Sequence, residues 1–294
     1  MFFVRKQVMS NILRSTRGGN MLYKVLCVLM ICPLSALAQD ATPEQLAKGI
    51  NFIQVSVHSQ EDDNRILKMY QGLRVADVRD AMDRIGLPNV GLLSPEIHAA
   101  WKDLKALTHQ FRGIALTIRY VPSNLPDWPR SNEDYDSWQG DFYAHRSSEA
   151  FKSIIRAGSV IVIDDVEEAD IGSIGSYNIL DWHASGAVGV VTDARARDTD
   201  EIAIELVPLY FRGVGRGQRP GRNLLESVNR PVSIGGMLVC PGDVVIADGD
   251  GVIVVPRRVA EDVARHARNV LNNDKEARKA LYKKLGKKLD HTVK

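Results

Sequence analysis

Gly186-Ala187-Val188-Gly189-Val190-Val191-Thr192-Asp193-Ala194-Arg195-Ala196-Arg197-Asp198 is an apolar run that enters a turn and delivers an arginine beside a carboxylate. A short continuous apolar run bounded by turn residues reads as a strand buried on both faces, the kind found in parallel sheets. A buried strand holds its end rigidly. Arg197 and Asp198 at that end can grip an anion and a divalent cation side by side. The pair therefore points to metal-assisted chemistry on a small carboxylate.

The same pattern occurs just upstream, where Gly158–Asp164 forms a second apolar run. Between the two lie Gly172-Ser173-Ile174-Gly175-Ser176-Tyr177-Asn178 and a helical segment over 177–185. Strand, helix, strand spells a parallel α/β unit. A helix N-terminus preceded by glycine is a ready carboxylate site, because its free N–H groups point outward. Its amides at Gly175, Ser176, Tyr177 and Asn178 would face the same space as Arg197 and Asp198.

Around this centre the sequence predicts a helix over 75–86, a strand over 111–119 and a long loop or lid over 121–147. It then predicts a short helix over 148–156, a strand over 205–212 and a Gly/Arg-rich loop over 213–223. Short strands follow over 231–234, 237–240, 243–247 and 251–255, and a long amphipathic helix over 259–288. Thr42-Pro43-Glu44 marks a helix start within a polar preamble.

The first 38 residues differ from the rest. They carry five basic residues (Arg5, Lys6, Arg14, Arg17, Lys24) and no acidic one, then the apolar run Val25–Leu34 and the small-residue pattern Ala36-Leu37-Ala38. This is the pattern of a secretory signal peptide, and it predicts an exported, periplasmic protein. The apolar run is shorter than the roughly 20 residues that a permanent membrane helix needs, so no permanent membrane anchor is expected. Without this segment, 33 basic residues face 36 acidic ones, a formal charge of about −3. That balance gives no electrostatic case for a nucleic-acid partner. Cys240 would be the single remaining cysteine, so the fold must rest on its core and not on an intrachain disulfide.

Four blocks resemble the RraA-like family, which includes 4-hydroxy-4-methyl-2-oxoglutarate aldolase. They are Ala76–Leu87, Phe111–Thr117, Gly186–Ile202 and Pro231–Pro256, the last containing Pro241-Gly242-Asp243 and Asp248-Gly249-Asp250-Gly251. The resemblance implies an α/β/α sandwich with a mixed sheet, assembled as a homotrimer or homohexamer with sites between subunits. It divides the chain into a signal peptide (1–38), a helical extension (39–70) and an RraA-like domain (71–294). It also implies a divalent-metal lyase, Mg²⁺ or Mn²⁺ dependent, that releases pyruvate from a 4-hydroxy-2-oxo acid or oxaloacetate. Arg197 matches the family's substrate-binding arginine and Asp198 its metal ligand, while Gly175–Asn178 match the loop whose amides hold the pyruvyl carboxylate. The cation would act as a Lewis acid on the enolate charge left by C–C cleavage, and Arg197 would add a hydrogen-bonded positive charge.

The chain departs from the family's pattern at two places. Ser176 stands where the aldolases carry an acidic residue, and Ser cannot supply that charge. Arg195 stands where small residues are usual, two positions from Arg197 on the same side of an extended chain. A non-catalytic binding or regulatory protein on the same fold is the alternative that Ser176 favours. Glu276 is the nearest candidate for the acidic group that a neighbouring subunit contributes in the family. His183 reads as a packing residue, Asp164-Asp165 and Glu167-Glu168 as a solvated turn, 248–251 as a hairpin turn, and 215–221 as a mobile interface loop.

Overall fold

The structure is a computed structural model that describes residues 51–52, 58–124, 131–165 and 170–294, all within one compact unit, Asp40–Lys294. The expected signal peptide, the Thr42-Pro43-Glu44 helix start and Glu167-Glu168 lie outside the described residues.

The apolar runs become the strands they predict. β1 (Asn51–Phe52), α1 (Gln60–Met69), α2 (Val75–Arg84), β2 (His98–Ala99) and β3 (Phe111–Pro122) come first. α3 (Asn132–His145), a 3₁₀ turn (Ala150–Ile154), β4 (Ser159–Asp164), β5 (Gly172–Ile174), α4 (Ser176–Ala184), β6 (Ala187–Thr192) and β7 (Arg195–Ala196) follow. The last part comprises α5 (Thr199–Glu205), β8 (Leu209–Phe211), β9 (Gly213–Val214), β10 (Asn223–Val228), β11 (Val232–Ile234), β12 (Met237–Val239), β13 (Val244–Asp248), β14 (Gly251–Val255) and α6 (Ala260–Lys284).

The architecture is α/β around a mixed nine-stranded sheet. β3, β4, β6 and β8 run parallel in that order. One edge of β3 carries two antiparallel partners end to end, β13 on its first half and β10 on its second. Leu92 bridges to Ile253 of β14, and β2, six residues further on, pairs with β8 at the far end of the sheet, so the sheet curls until it nearly closes.

Side-chain alternation sorts the core into layers. Ile161, Ile163, Val190 and Leu209 pack with Ile179 and Trp182 of α4 and Ile202 of α5. Val244, Ile246, Ile253 and Val255 pack with α1, α2 and α6. The opposite side of the same strands, Val160, Val162, Val191, Val245 and Val254, packs on the β11–β12 hairpin. Asp248, at the hairpin turn between β13 and β14, also accepts the Val75 N–H at 2.8 Å and so caps α2. Burial pushes its carboxyl pKa up, the cost of placing that cap inside the molecule.

Three expectations are corrected. Most of the described part of 121–147 is not a loop: β3 continues to Pro122, and Asn132–His145 form a helix capped by Ser131. Its stripe is aromatic, Tyr135, Trp138 and Phe142 at helical spacing with successive ring centroids 5.6 Å apart, and the surrounding Asp and Ser residues masked it. Residues 205–212 are not one strand: Thr199–Glu205 are helical, Leu206 takes a left-handed φ of 58° that ends the helix, and the strand is Leu209–Phe211. Residues 213–223 are pinned, with Gly217 N–H donated to Asp170 O and Gly172 N–H to Gly217 O, both at 2.8 Å.

Ionic contacts fasten α1. Asp62 accepts from Arg257 at 2.6 Å and from Arg65 at 2.7 Å. These bonds, Arg257 first, hold its carboxyl pKa at about 2 against an ordinary 3.8. A carboxyl whose pKa falls on folding stabilises the fold above its unfolded pKa, and the gain is lost as pH falls through the folded value. The melting temperature should therefore fall as pH is lowered from about 4 toward 2. Asp62→Asn should melt lower at neutral pH and lose less over that acid range in a calorimetric pH series. A truncation in the doubly buried sheet, Ile163→Ala, should cost about 2–5 kcal/mol in denaturant titration.

Candidate active site

Three of the four parallel strands are each followed in sequence by a strand of a second, smaller sheet. β5 follows β4, β7 follows β6 and β9 follows β8, and they pair in the same order as a three-stranded parallel sheet. This places the residues after β7 at the carboxyl end of the main sheet, where open α/β folds form ligand crevices. Ala194 and Ala196 are buried, so Arg195 and Arg197 project from the other side.

Arg197 is fixed by its backbone, whose N–H donates to Ile174 O at 2.8 Å. Asp198 takes a left-handed φ of 56°, which turns the chain into α5. Asp is one of the few side chains that tolerate this conformation. Asp198 Oδ2 accepts the Ser176 N–H at 3.2 Å and lies 3.7 Å from Arg197 Nε. The α4 N-terminus, the guanidinium and the carboxylate thus meet. Gly175 allows the approach: a Cβ there would lie 2.6 Å from Asp198 Oδ2 and 3.4 Å from Arg197 Nε. Gly172 does the same beneath, where a Cβ would meet Gly215 O at 2.6 Å and Arg197 Cβ at 2.7 Å.

Of the residues singled out by sequence, Gly175, Ser176, Arg197 and Asp198 come together. Tyr177 points outward, 78% exposed. The Asn178 side chain turns inward, where its Oδ1 accepts the Gly175 N–H at 3.3 Å and its Nδ2 donates to Glu149 at 2.5 Å. Glu149 is the residue that sequence reasoning missed. It also accepts from Trp182 Nε1 at 2.8 Å and from Arg219 at 2.6 Å. Arg219 is buried, donates to Tyr120 Oη at 2.9 Å and faces the Tyr120 and Tyr143 rings. Burial works against its charge, but Tyr120 and Glu149 outweigh that and raise its pKa. Alongside it, buried Asn223 donates to Asp165 at 2.9 Å and to Ser173 at 3.2 Å. Asp165 is thus tied to a buried network and is not part of a solvated turn. The other readings are placed as follows. His183 Nδ1 lies 2.7 Å from Ala187 O, a local packing contact. Glu276 is exposed on α6, 3.5 Å from Lys279.

The donor set limits which metal could bind. Among the described residues no group of three or more His, Cys, Asp or Glu side chains gathers as a metal cage. Asp198 offers a single, partly exposed carboxylate. That fits a hard cation that keeps most of its water and is completed by substrate oxygens, as Mg²⁺ does. It does not fit a structural zinc site.

Comparison with known proteins fits this geometry. The family model RraA-like, described as Aldolase/RraA, matches residues 75–254. The chain belongs to the RraA-like family. The match runs from the start of α2 into β14 and so includes every residue of the site just described. A relative from Halalkalibacterium halodurans, named "Putative 4-hydroxy-4-methyl-2-oxoglutarate aldolase", is 29% identical over 126 residues, 42% of this chain and 59% of its own length. The chain spans less than two thirds of the length of the curated relatives it matches. A crystal structure of an uncharacterised protein from Pseudomonas syringae pv. tomato superposes with a TM-score of 0.58 at 27% identity, covering 79% of this chain and 98% of the other. Streptomyces coelicolor RraAS2, described as an unusual member of the RNase ES inhibitor RraA protein family, shares the fold at a TM-score of 0.57 and 22% identity, covering 74% of this chain and 96% of the other.

Gly175→Ala tests the convergence directly. The added methyl must push Asp198 off the Ser176 amide, so ligand binding or turnover at the site should fall at least ~10-fold, the scale of one charge-assisted hydrogen bond. The melting temperature should change little, because the Gly175 φ of −112° suits alanine. A circular dichroism melt beside a ligand titration separates the two effects.

Proposed function

We propose that the protein is a divalent-metal-dependent lyase of the class II aldolase or oxaloacetate decarboxylase type, acting on 4-hydroxy-2-oxo acids and releasing pyruvate. The observation that carries this reading is the meeting of Asp198, Arg197 and the α4 N-terminus across Gly175. A divalent cation, when bound, supplies Lewis-acid charge to the substrate's 2-oxo and carboxylate oxygens. Asp198 would hold that cation. The α4 N-terminal amides would bind the substrate carboxylate, and Arg197 would face the oxygen that gains charge as the bond breaks. Glu149, through Asn178, keeps the first turn of α4 in place. The H. halodurans relative's name supports the substrate class.

Assembly as a homotrimer or homohexamer is part of the proposal. Tyr177 and Leu180 on α4, Ile204 on α5 and Leu206 just beyond it are exposed apolar side chains next to the site. Such a patch is characteristic of an interaction surface, and a second copy seated there would close the site. Export by the N-terminal segment belongs to the same proposal. Ser176, in the position where related aldolases carry an acid, favours a second reading, a binding protein that holds a 2-oxo acid without cleaving it.

The deciding assay is pyruvate release from oxaloacetate and from 4-hydroxy-2-oxo acids, with and without Mg²⁺ or Mn²⁺. The lyase reading expects metal-dependent release that Asp198→Ala reduces by ~10²-fold or more, the scale of losing one preorganised electrostatic group. Equal rates with and without metal, or an unaffected Asp198→Ala, would sink it. Retained 2-oxo acid binding without release would select the second reading.

A further inference from the structure

The first half of α6 packs inward through Val263, Ala264, Ala267 and Leu271. Beyond Leu271 no residue of the helix is buried. A helix with no buried stripe has little to hold it in place, yet this half is fastened by the chain that follows it. Gly286, at a φ of 64°, turns the backbone, and the tail runs back along the helix. Arg278 donates to Thr292 Oγ1 at 2.9 Å, Tyr282 Oη to Asp290 at 3.0 Å and Lys275 Nζ to Lys294 O at 3.1 Å, and Val293 is buried. The tip so held is strongly basic. Residues 275–294 carry eight basic and two acidic side chains, whereas residues 39–274 carry 25 basic and 34 acidic ones. Among the described residues the ammonium groups of Lys283, Lys284 and Lys288 make no hydrogen bond or ion pair. Amid these lysines stand Leu281 and Leu285, one helical turn apart and 55% and 66% exposed.

We propose that the tip of α6 is a docking surface for anionic lipid bilayers, on which the protein rests reversibly. Charge complementarity and the two leucines choose this occupant together. Lysines near an anionic headgroup layer are attracted to it, each strengthening binding about fivefold. Leu281 and Leu285 can then enter the boundary between headgroups and acyl chains, as the apolar side of a surface-lying helix does. A nucleic acid would satisfy the lysines but offers no apolar layer for the leucines. A second copy seated there by two-fold symmetry would set lysine against lysine. The acidic remainder of the chain is repelled by the same lipids, so the tip alone would face the bilayer. Among the described residues no helix is long and apolar enough to cross a membrane, and the contact is one of lying on the surface. The inference is independent of the lyase reading.

The test is vesicle flotation with the chain from Gln39 onward, which contains the whole compact unit Asp40–Lys294 and leaves out the basic, apolar N-terminal segment that would itself bind lipid. Vesicles of phosphatidylglycerol and phosphatidylcholine are compared with vesicles of phosphatidylcholine alone. The protein should float with the anionic vesicles only, and raising salt from 0.1 to 0.5 M should release it, because the attraction is screened. The triple variant Lys283→Gln, Lys284→Gln, Lys288→Gln should bind the anionic vesicles ~10²-fold more weakly. The double variant Leu281→Ser, Leu285→Ser, which keeps every charge, should bind them ~10-fold or more weakly. None of these side chains is buried, so the melting temperature of both variants should stay near that of the native chain. Flotation with neither vesicle or equally with both, or either variant bound as tightly as the native chain, overturns the proposal. So does binding of duplex DNA as tight as that of the anionic vesicles, which would mark a general polyanion contact. A fall in oligomer mass by light scattering in the leucine variant also overturns it, since a second copy would then cover the tip.

Discussion

The parallel pairing of β4 with β6 sets the terms for the rest of the molecule. Both strands are buried on both faces, so neither can carry a charged side chain along its length. Polar chemistry is pushed to the strand ends, and there the backbone still needs partners. The small sheet of β5, β7 and β9 meets that need. It continues the order of the main strands, satisfies their departing chains, and raises Arg197 and Asp198 to the surface on a fixed frame.

The second constraint is the closeness of that frame to α4. Asp198 reaches the Ser176 amide only because position 175 has no side chain, and Arg197 sits over Gly172 for the same reason. Two glycines thus convert a strand end and a helix start into one site. Beneath it, Glu149 joins Asn178, Trp182 and the buried Arg219 in one charged network. Removing a single member of such a network leaves an uncompensated buried charge. The orientation of the α4 first turn is therefore coupled to the α3 region through Tyr143, which faces Arg219.

How much of this could be read from sequence follows from the range of the interactions. β4, β6, the β13–β14 hairpin and α6 announce themselves through local periodicity, and the structure places them within a residue or a few of expectation. The meeting of Gly175, Ser176, Arg197 and Asp198 was legible because strand–helix–strand connectivity dictates it. α3 was hidden because its stripe is aromatic and set among Asp and Ser. β10 was hidden because Leu224 and Leu225 follow a Gly/Arg-rich stretch with no alternation before it. The Glu149–Arg219 pair had no local signal at all. Its members are 70 residues apart and meet only through the folded sheet.

The double occupancy of one β3 edge bears on how the chain is made. β3 lies in the first half of the sequence, but its partners on that edge, β10 and β13, begin only at Asn223 and Val244. During vectorial synthesis the strand emerges with a row of unpaired amides and carbonyls and waits for the last third of the chain. An unprotected, apolar strand edge is a template for pairing with other chains. The long-range closure that follows belongs to the slow end of folding rates. A nascent chain of this design depends on something to shield β3 until its C-terminal strands arrive.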